Sequence, residues 1–416
     1  GRKDVMATVR IKKLQAGMVL ADDVRDIKGR LLLSRGKPVG PDHIRIFKIW
    51  GIPQVEVAGV PADEEPAVPV PIDPAWLEAA RLETERRFIL TERDHPAVRE
   101  IFDQAVRYRA ARRIPPPPEG LPFEDSSAPP QGPTRDFVEA LADRDIALPE
   151  IPAIVIELNE VIADPLSTAD KMAQVINKSP SLTALLLKIV NSSFYGLPSR
   201  VDRVSLAVTL IGTRELSSLA LGISILTMFK SIPSSLLTMR SFLKHSLACG
   251  IVARLLAAQK TLRQTEQMFT AGLLHDIGRL ILFIYFPGEA VGALRQARQD
   301  GDWLYRVEKK RLGCHHAQIG KYLLNRWRLP LVIENTVSFH HEPADAPDPV
   351  PAAIVHVADL LVNALGIGTS GERLVPPLVA RAWEALDLSP SCFEVVIHQM
   401  ANQLDTLEFL LPGNGP

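Results

Sequence analysis

The hydrophobic positions of this chain change their spacing twice. Between residues 7 and 58 they fall in short strand-like runs, Val9 and Ile11, Met18 to Leu20, Leu31 to Leu33, and Val55 with Val57. Turn signals at Ala16-Gly17, Lys28-Gly29 and Arg35-Gly36 separate them. Pro41 and Asp42 open a predicted helix that runs through Trp50 and ends at Gly51. Over 76–113 the spacing turns helical. Leu77, Ala80, Leu82, Phe88, Val98, Ile101, Phe102, Ala105 and Val106 predict a helical hairpin with one apolar face, interrupted at Asp94-His95-Pro96, where His95 is a turn residue. From Thr134 onward the pattern is almost wholly helical, as in Ile154, Leu158, Val161 and Ile162, or in Leu182, Leu185, Leu186, Ile189 and Val190. Ser167, Ser181 and Ser205 are the predicted N-caps, and Asn191 with Ser192, ahead of Gly196, a helix C-terminus. The expected fold is therefore mainly α: an all-helical body preceded by a small β-rich module and a helical hairpin.

Proline divides these units. Fourteen of the 34 prolines lie between 61 and 133, where they favour extended, semi-rigid segments. The expected organisation is a β-rich accessory module at 7–60, a linker at 61–75, the hairpin at 76–113, a second linker at 114–133 and a helical domain at 134–412. That domain splits into an N-terminal part, 134–235, and a second part, 236–412. The hairpin is expected to pad the body in preference to forming a coiled-coil-like dimer seam.

Composition narrows the partners. A net charge of −1 leaves no overall nucleic-acid footprint, and the basic stretch 107–113 reads as a solvated helix face. Cys249, Cys314 and Cys392 are too few and scattered for a disulfide framework, and no Cys-x-x-Cys pair suggests zinc; a reducing cytoplasm fits. Residues 1–5 are read as preceding a native start at Met6, with no signal segment after it. The longest uninterrupted apolar run, about residues 280–286, falls short of the roughly 20 residues a membrane helix requires, so no membrane association is expected.

The chemistry centres on Ala271-Gly272-Leu273-Leu274-His275-Asp276-Ile277-Gly278-Arg279-Leu280, an apolar run that would cover most of a helix and that carries two metal-ligand side chains into the core. Burying an unpaired carboxylate costs several kcal/mol, roughly, so Asp276 requires a partner. Either a divalent metal or a buried Asp–His hydrogen bond supplies it. Seven of the ten histidines lie between 245 and 356. They sit in Leu243-Lys244-His245, His275-Asp276, Cys314-His315-His316, Phe339-His340-His341-Glu342 and Val355-His356-Val357-Ala358-Asp359.

With these signatures in this order, residues 134–412 resemble the HDOD family, a branch of the HD metal-dependent phosphohydrolase superfamily related to the HD-GYP phosphodiesterases. Leu148-Pro149-Glu150-Ile151-Pro152, Asp164-Pro165, Ser179-Pro180, Asn191 to Gly196 and Leu210-Ile211-Gly212 carry the front of the resemblance. The stretch around Leu14-Gln15-Ala16-Gly17-Met18 resembles the accessory module found ahead of some such domains. The resemblance implies a divalent ion, iron, manganese or zinc, held by His245, His275, Asp276 and Asp359, with His316, His340 and His341 as the further ligands of bimetallic members. It assigns no ligand role to His315, expected to be exposed, or to His356, expected to be a core histidine. Ser179 stands where the family usually has Asp. Arg279 replaces the lysine of HD-GYP enzymes, and Pro343 follows Glu342 where they have Gly-Tyr-Pro, so cyclic-di-GMP cleavage is not expected. Two readings remain: a non-catalytic bacterial signalling protein that binds a protein partner, with homodimerisation open, and a metal-dependent phosphohydrolase acting on a nucleotide or phosphoester. The first is favoured.

Overall fold

A computed structural model describes residues 6–58, 73–116 and 150–411, with short interruptions at 12–13, 26–30, 50–51, 53, 165, 193, 198, 230 and 234–236. Most of both expected linkers, the first residues of the expected helical domain, and the Lys28-Gly29 and Trp50-Gly51 signals lie outside the described residues.

The amino-terminal strands are β1 (Met6–Arg10), β2 (Val19–Leu20), β3 (Val24–Arg25), β4 (Leu31–Leu33) and β5 (Gln54–Ala58), with helix α1 (Pro41–Ile49) before the last. β5 is central in a three-stranded antiparallel sheet of order β1-β5-β2, in which Met6 pairs with Ala58 and Arg10 with Gln54; β3 and β4 form a separate pair. Ile11, Leu14, Leu20, Val24, Val39, Phe47, Val55 and Val57 are buried together, a hydrophobic cluster separate from that of the helices.

Helices α2 (Pro74–Arg87) and α3 (Pro96–Ala111) form the hairpin, and His95 caps α3 by accepting from the Ala97 amide. Its apolar face differs from the expected one. Leu77 and Leu82 remain exposed, because α2 turns Ala80, Glu83 and Thr84 inward, whereas α3 buries Val98, Ile101, Phe102 and Ala105 in the main core. The Thr91 hydroxyl donates to the Val375 carbonyl at 2.6 Å, the Val375 amide to Arg87 O at 2.8 Å, and Arg87 to Asn363 O at 3.2 Å.

The body continues with α4 (Ala153–Ala163), α5 (Ala169–Asn177), α6 (Pro180–Val190), α7 (Val204–Ile211) and α8 (Thr213–Leu226). The caps fall beside the predicted serines: Thr168 caps α5, Ser179 caps α6, and α7 begins after Arg203 without a side-chain cap. Ser179 thus holds the Leu182 amide. Asn191 ends α6 and ties it to the next segment, donating to Leu187 O and Val201 O and accepting from the Val201 amide, each at 2.7 Å. Its role is structural.

Eight further helices carry the His/Asp residues or support them: α9 (Met239–Gln259), α10 (Thr265–Leu274), α11 (Ile277–Tyr285), α12 (Pro287–Asp300), α13 (Leu304–Leu312), α14 (His316–Arg326), α15 (Leu331–Ser338) and α16 (Pro349–Leu365); α17 (Ala380–Leu386) and α18 (Cys392–Thr406) close the body. By length and hydropathy alone, α9 and the run 265–285 could each cross a membrane; counting uninterrupted apolar runs missed both. Their most apolar windows are 78% and 89% buried inside the protein, so here the apolar surface is covered by neighbouring helices.

Candidate metal centre

The apolar run around His275 is not one helix. α10 ends at Leu274, His275 and Asp276 form the break, and α11 starts at Ile277. Two close backbone approaches fix this junction. A Cβ on Gly272 would lie 2.8 Å from the Cys249 carbonyl oxygen, and one on Gly250 2.8 Å from that of Phe269, so α9 and α10 cross at glycine against glycine. That crossing brings His245 and Cys249, one turn apart on α9, up to His275.

All seven residues expected as ligands come together, and all are buried, at 0–7% exposure. His245 Nε2 lies 3.2 Å from Asp359 Oδ1 and 3.7 Å from Asp276 Oδ2. His275 Nε2 lies 3.2 Å from Asp276 Oδ2 and 3.4 Å from Asp359 Oδ1. The other Asp276 oxygen turns toward His316 Nε2, 2.9 Å away. His316 Nε2 is in turn 3.3 Å from His340 Nε2 and 3.0 Å from His341 Nε2. The donors thus form two lobes, His245, His275 and Asp359 on one side, His316, His340 and His341 on the other, with the Asp276 carboxylate between them.

Three of these imidazoles are oriented through their other nitrogen, as metal-ligating histidines usually are. His275 donates its Nδ1–H to Gly272 O at 2.8 Å, His340 to Val337 O at 2.7 Å, and His316 to Glu308 at 2.5 Å. Each ring thereby turns Nε2 to the centre. His275 Nε2 faces the Asp276 and Asp359 oxygens without hydrogen-bond geometry to either, a position that a metal ion would fill. Asn363 holds Asp359 by donating to its Oδ1 at 2.7 Å. His356 is a core histidine: it donates to His340 O at 2.8 Å and accepts from the Val379 amide.

Charge points the same way. Asp276, Glu308, Asp359 and Glu372 are buried around one guanidinium, that of Arg279, which contacts Glu308 at 3.1 Å, Asp276 at 3.3 Å, Glu372 at 3.8 Å and Ser370 Oγ at 2.8 Å. Burial pushes the Glu372 carboxyl up to about 7. Burial also opposes a charge on His275, yet Asp276 and Asp359 outweigh it and raise the imidazole to about 10. On His340 and His341 burial and the neighbouring imidazoles act together and hold both well below the usual histidine range. The set fits a divalent cation, which would take the place of the protons that His275 and His316 hold between the buried carboxylates.

A histidine raised by folding contributes stability that is complete below its unfolded value, about 6.5, and is lost as pH rises through its folded value. The metal-free protein is therefore expected to melt at a lower temperature at pH 10 than at pH 7, with His275 titrating near 10 and His316, also raised, acting in the same direction. A bound ion takes the place of the proton. Melting curves across this range with and without chelator should show the dependence shrink when metal is present.

Some of the site escaped the sequence reading. His315 was expected to be exposed but is 2% exposed: it lies edge-on to the Tyr305, His316 and His341 rings and caps α14. Glu308, Asn363, Ser370 and Glu372 hold the donors yet belong to no motif. Cys249, excluded for want of a Cys-x-x-Cys partner, lies 3.6 Å from His245 Nε2. Its spacing of four from His245 on a helix was the available signal.

The described body is mainly helical, with a buried His/Asp centre at a helix break. The family model of the HDOD domain matches residues 148–343, and the chain carries an HDOD domain over that stretch. An uncharacterized protein of Treponema pallidum (strain Nichols) is 25% identical over 226 residues, 54% of this chain and 44% of the relative, so the match spans less than half of that protein. Among solved structures, an HDOD domain protein of unknown function from Geobacter sulfurreducens aligns with a TM-score of 0.50 at 23% identity, covering 64% of this chain and 88% of its own. A protein of Marinobacter aquaeolei VT8, named provisionally for signal transduction, aligns at 0.51 with 21% identity, covering 74% and 67%. These likenesses show the shared fold.

Proposed function

We propose that this chain is a non-catalytic bacterial signalling protein that works through contact with a protein partner, and that its HD-like half holds a divalent metal as a buried scaffold centre. The observation that carries this reading is the burial of the whole donor set, none of it more than 7% exposed. A phosphoester substrate needs an open coordination position facing solvent. Here Tyr305 stacks on the His341 ring, centroids 4.2 Å apart, over the lobe that a bimetallic enzyme would open. Arg279 supports the same reading, since its guanidinium is held by Asp276, Glu308 and Ser370 inside the protein. After Glu342 the chain turns through the short 3₁₀ helix Pro343–Asp345. The name given to the Marinobacter protein agrees with a signalling role. The N-terminal module and hairpin are the parts proposed to meet the partner, in the cytoplasm.

One observation favours hydrolysis instead. The two oxygens of Asp276 face different lobes, so this carboxylate would serve both lobes if each held an ion, and paired ions would supply an activated water and polarise a phosphoryl group. The readings separate on turnover. Protein loaded with manganese or iron is expected to release no linear product from cyclic-di-GMP, nor phosphate from simple phosphoesters, above a metal-only blank. Release abolished by His275→Ala would favour the enzyme.

A further inference from the structure

Beside the expected ligands of the first lobe lies a side chain that the His/Asp signatures do not contain. Cys249 Sγ belongs to one group with His245, His275 and Asp359, in which every donor atom lies within 4.8 Å of the others, and all four residues are buried. Three of the six spacings within this group are close to those of a four-coordinate ion. Sulfur at about 2.3 Å and nitrogen at about 2.0–2.1 Å from a tetrahedral centre lie about 3.6 Å apart, and nitrogen and oxygen ligands about 3.4 Å apart. The structure has Cys249 Sγ at 3.6 Å from His245 Nε2, His275 Nε2 at 3.4 Å from Asp359 Oδ1 and His245 Nε2 at 3.2 Å from the same oxygen. His275 Nε2 faces the Asp276 and Asp359 oxygens at 3.2 and 3.4 Å without hydrogen-bond geometry to either, a second sign that these donors converge on a point between them and not on one another.

We infer that Cys249 is a thiolate ligand of the first-lobe metal, making that lobe a closed Cys/His₂/Asp site selective for a thiophilic divalent ion such as zinc over manganese or magnesium. Binding forms a metal–sulfur bond and releases to solvent the thiol proton together with the proton that His275 carries in the metal-free protein, with no change of oxidation state. Thiolate favours zinc over the hard ions, which prefer oxygen ligands. Four protein donors also complete a tetrahedral shell and leave no position for water, as in structural zinc sites. The inference rests on the metal part of the proposed function and gives its closed character a cause: the second lobe can stay empty while the first is filled. The plain alternative is a buried S–H donating to His245.

Cobalt(II) is the probe, because a thiolate bound to it gives an intense near-ultraviolet charge-transfer band that nitrogen and oxygen ligands do not. The full chain, stripped with chelator and kept reduced, is titrated with cobalt. The wild type should show the band together with the visible absorption of four-coordinate cobalt. Cys249→Ser should lose the band and lower the zinc-over-manganese preference by at least about tenfold, the scale on which even outer-shell partners act. The variant Cys314→Ser/Cys392→Ser, which keeps only Cys249, should retain the band at full intensity and covers the case in which Cys249→Ser fails to fold. Cobalt bound without the band, or a band lost in the Cys314→Ser/Cys392→Ser protein, overturns this inference and leaves the metal reading standing. Failure to bind cobalt at all overturns both.

Discussion

Replacing His275 with alanine is expected to remove the bound metal and to lower stability by about 3–5 kcal/mol, the range seen when one partner of a buried charge pair is deleted. The size follows from what stays behind. Asp276 and Asp359 remain buried, at 2% and 5% exposure, after losing the imidazole that lies 3.2 and 3.4 Å from their oxygens and any ion it helped to hold. Among the described residues, the permanently charged cation in contact with Asp276 is Arg279, and it already contacts Glu308 as well. Denaturant unfolding and elemental analysis measure the two effects. Chelator should lower the melting temperature of the wild type and leave that of His275→Ala unchanged. A wild type indifferent to chelator would indicate a hydrogen-bonded core without metal.

Gly278→Ala should be as severe, for a different reason. A Cβ at this position would stand 1.9 Å from the His316 carbonyl oxygen, 2.8 Å from its carbon and 2.9 Å from the Gly320 nitrogen. All three are backbone atoms, so no side-chain rotation relieves the contact. α11 and α14 would have to separate, at a cost of at least about 3 kcal/mol, the upper end for overpacked cores. Separation carries His316 away from Asp276, whose 2.9 Å contact joins the two lobes. A folded variant should therefore keep the first-lobe ion and lose affinity in the second. A melting temperature equal to that of the wild type would mean that α11 and α14 do not meet backbone to backbone at Gly278.

The particular residues show what local sequence carries. The strands around Val19, Leu32 and Val55, the hairpin broken at His95 and the helical period after 150 follow from spacing and turn chemistry, which act within a few residues. Cap choice was legible only to within a residue or two, since Ser167 and Thr168, or Ser179 and Ser181, offer the same hydroxyl and packing selects between them. The break falls on His275 and Asp276, neither glycine nor proline, and the apolar run reads straight through it even though Gly272 and Gly278 flank it. The seven His and Asp residues were found through family signatures and are brought together as a set. Glu308, Asn363 and Cys249 were not, because helix crossings bring them to the centre. His315 was misread for the same reason: the rings that bury it come from α13 and from the segment after α15.

Elemental analysis of the wild-type protein, purified without chelator and then stripped and reloaded, tests the metal-holding scaffold most directly. The account predicts a divalent metal in stoichiometric amount, its loss to chelator with a fall in melting temperature, and recovery of both on reloading. Protein that is metal-free as purified, and that takes up neither manganese, iron nor zinc when offered them, would contradict it.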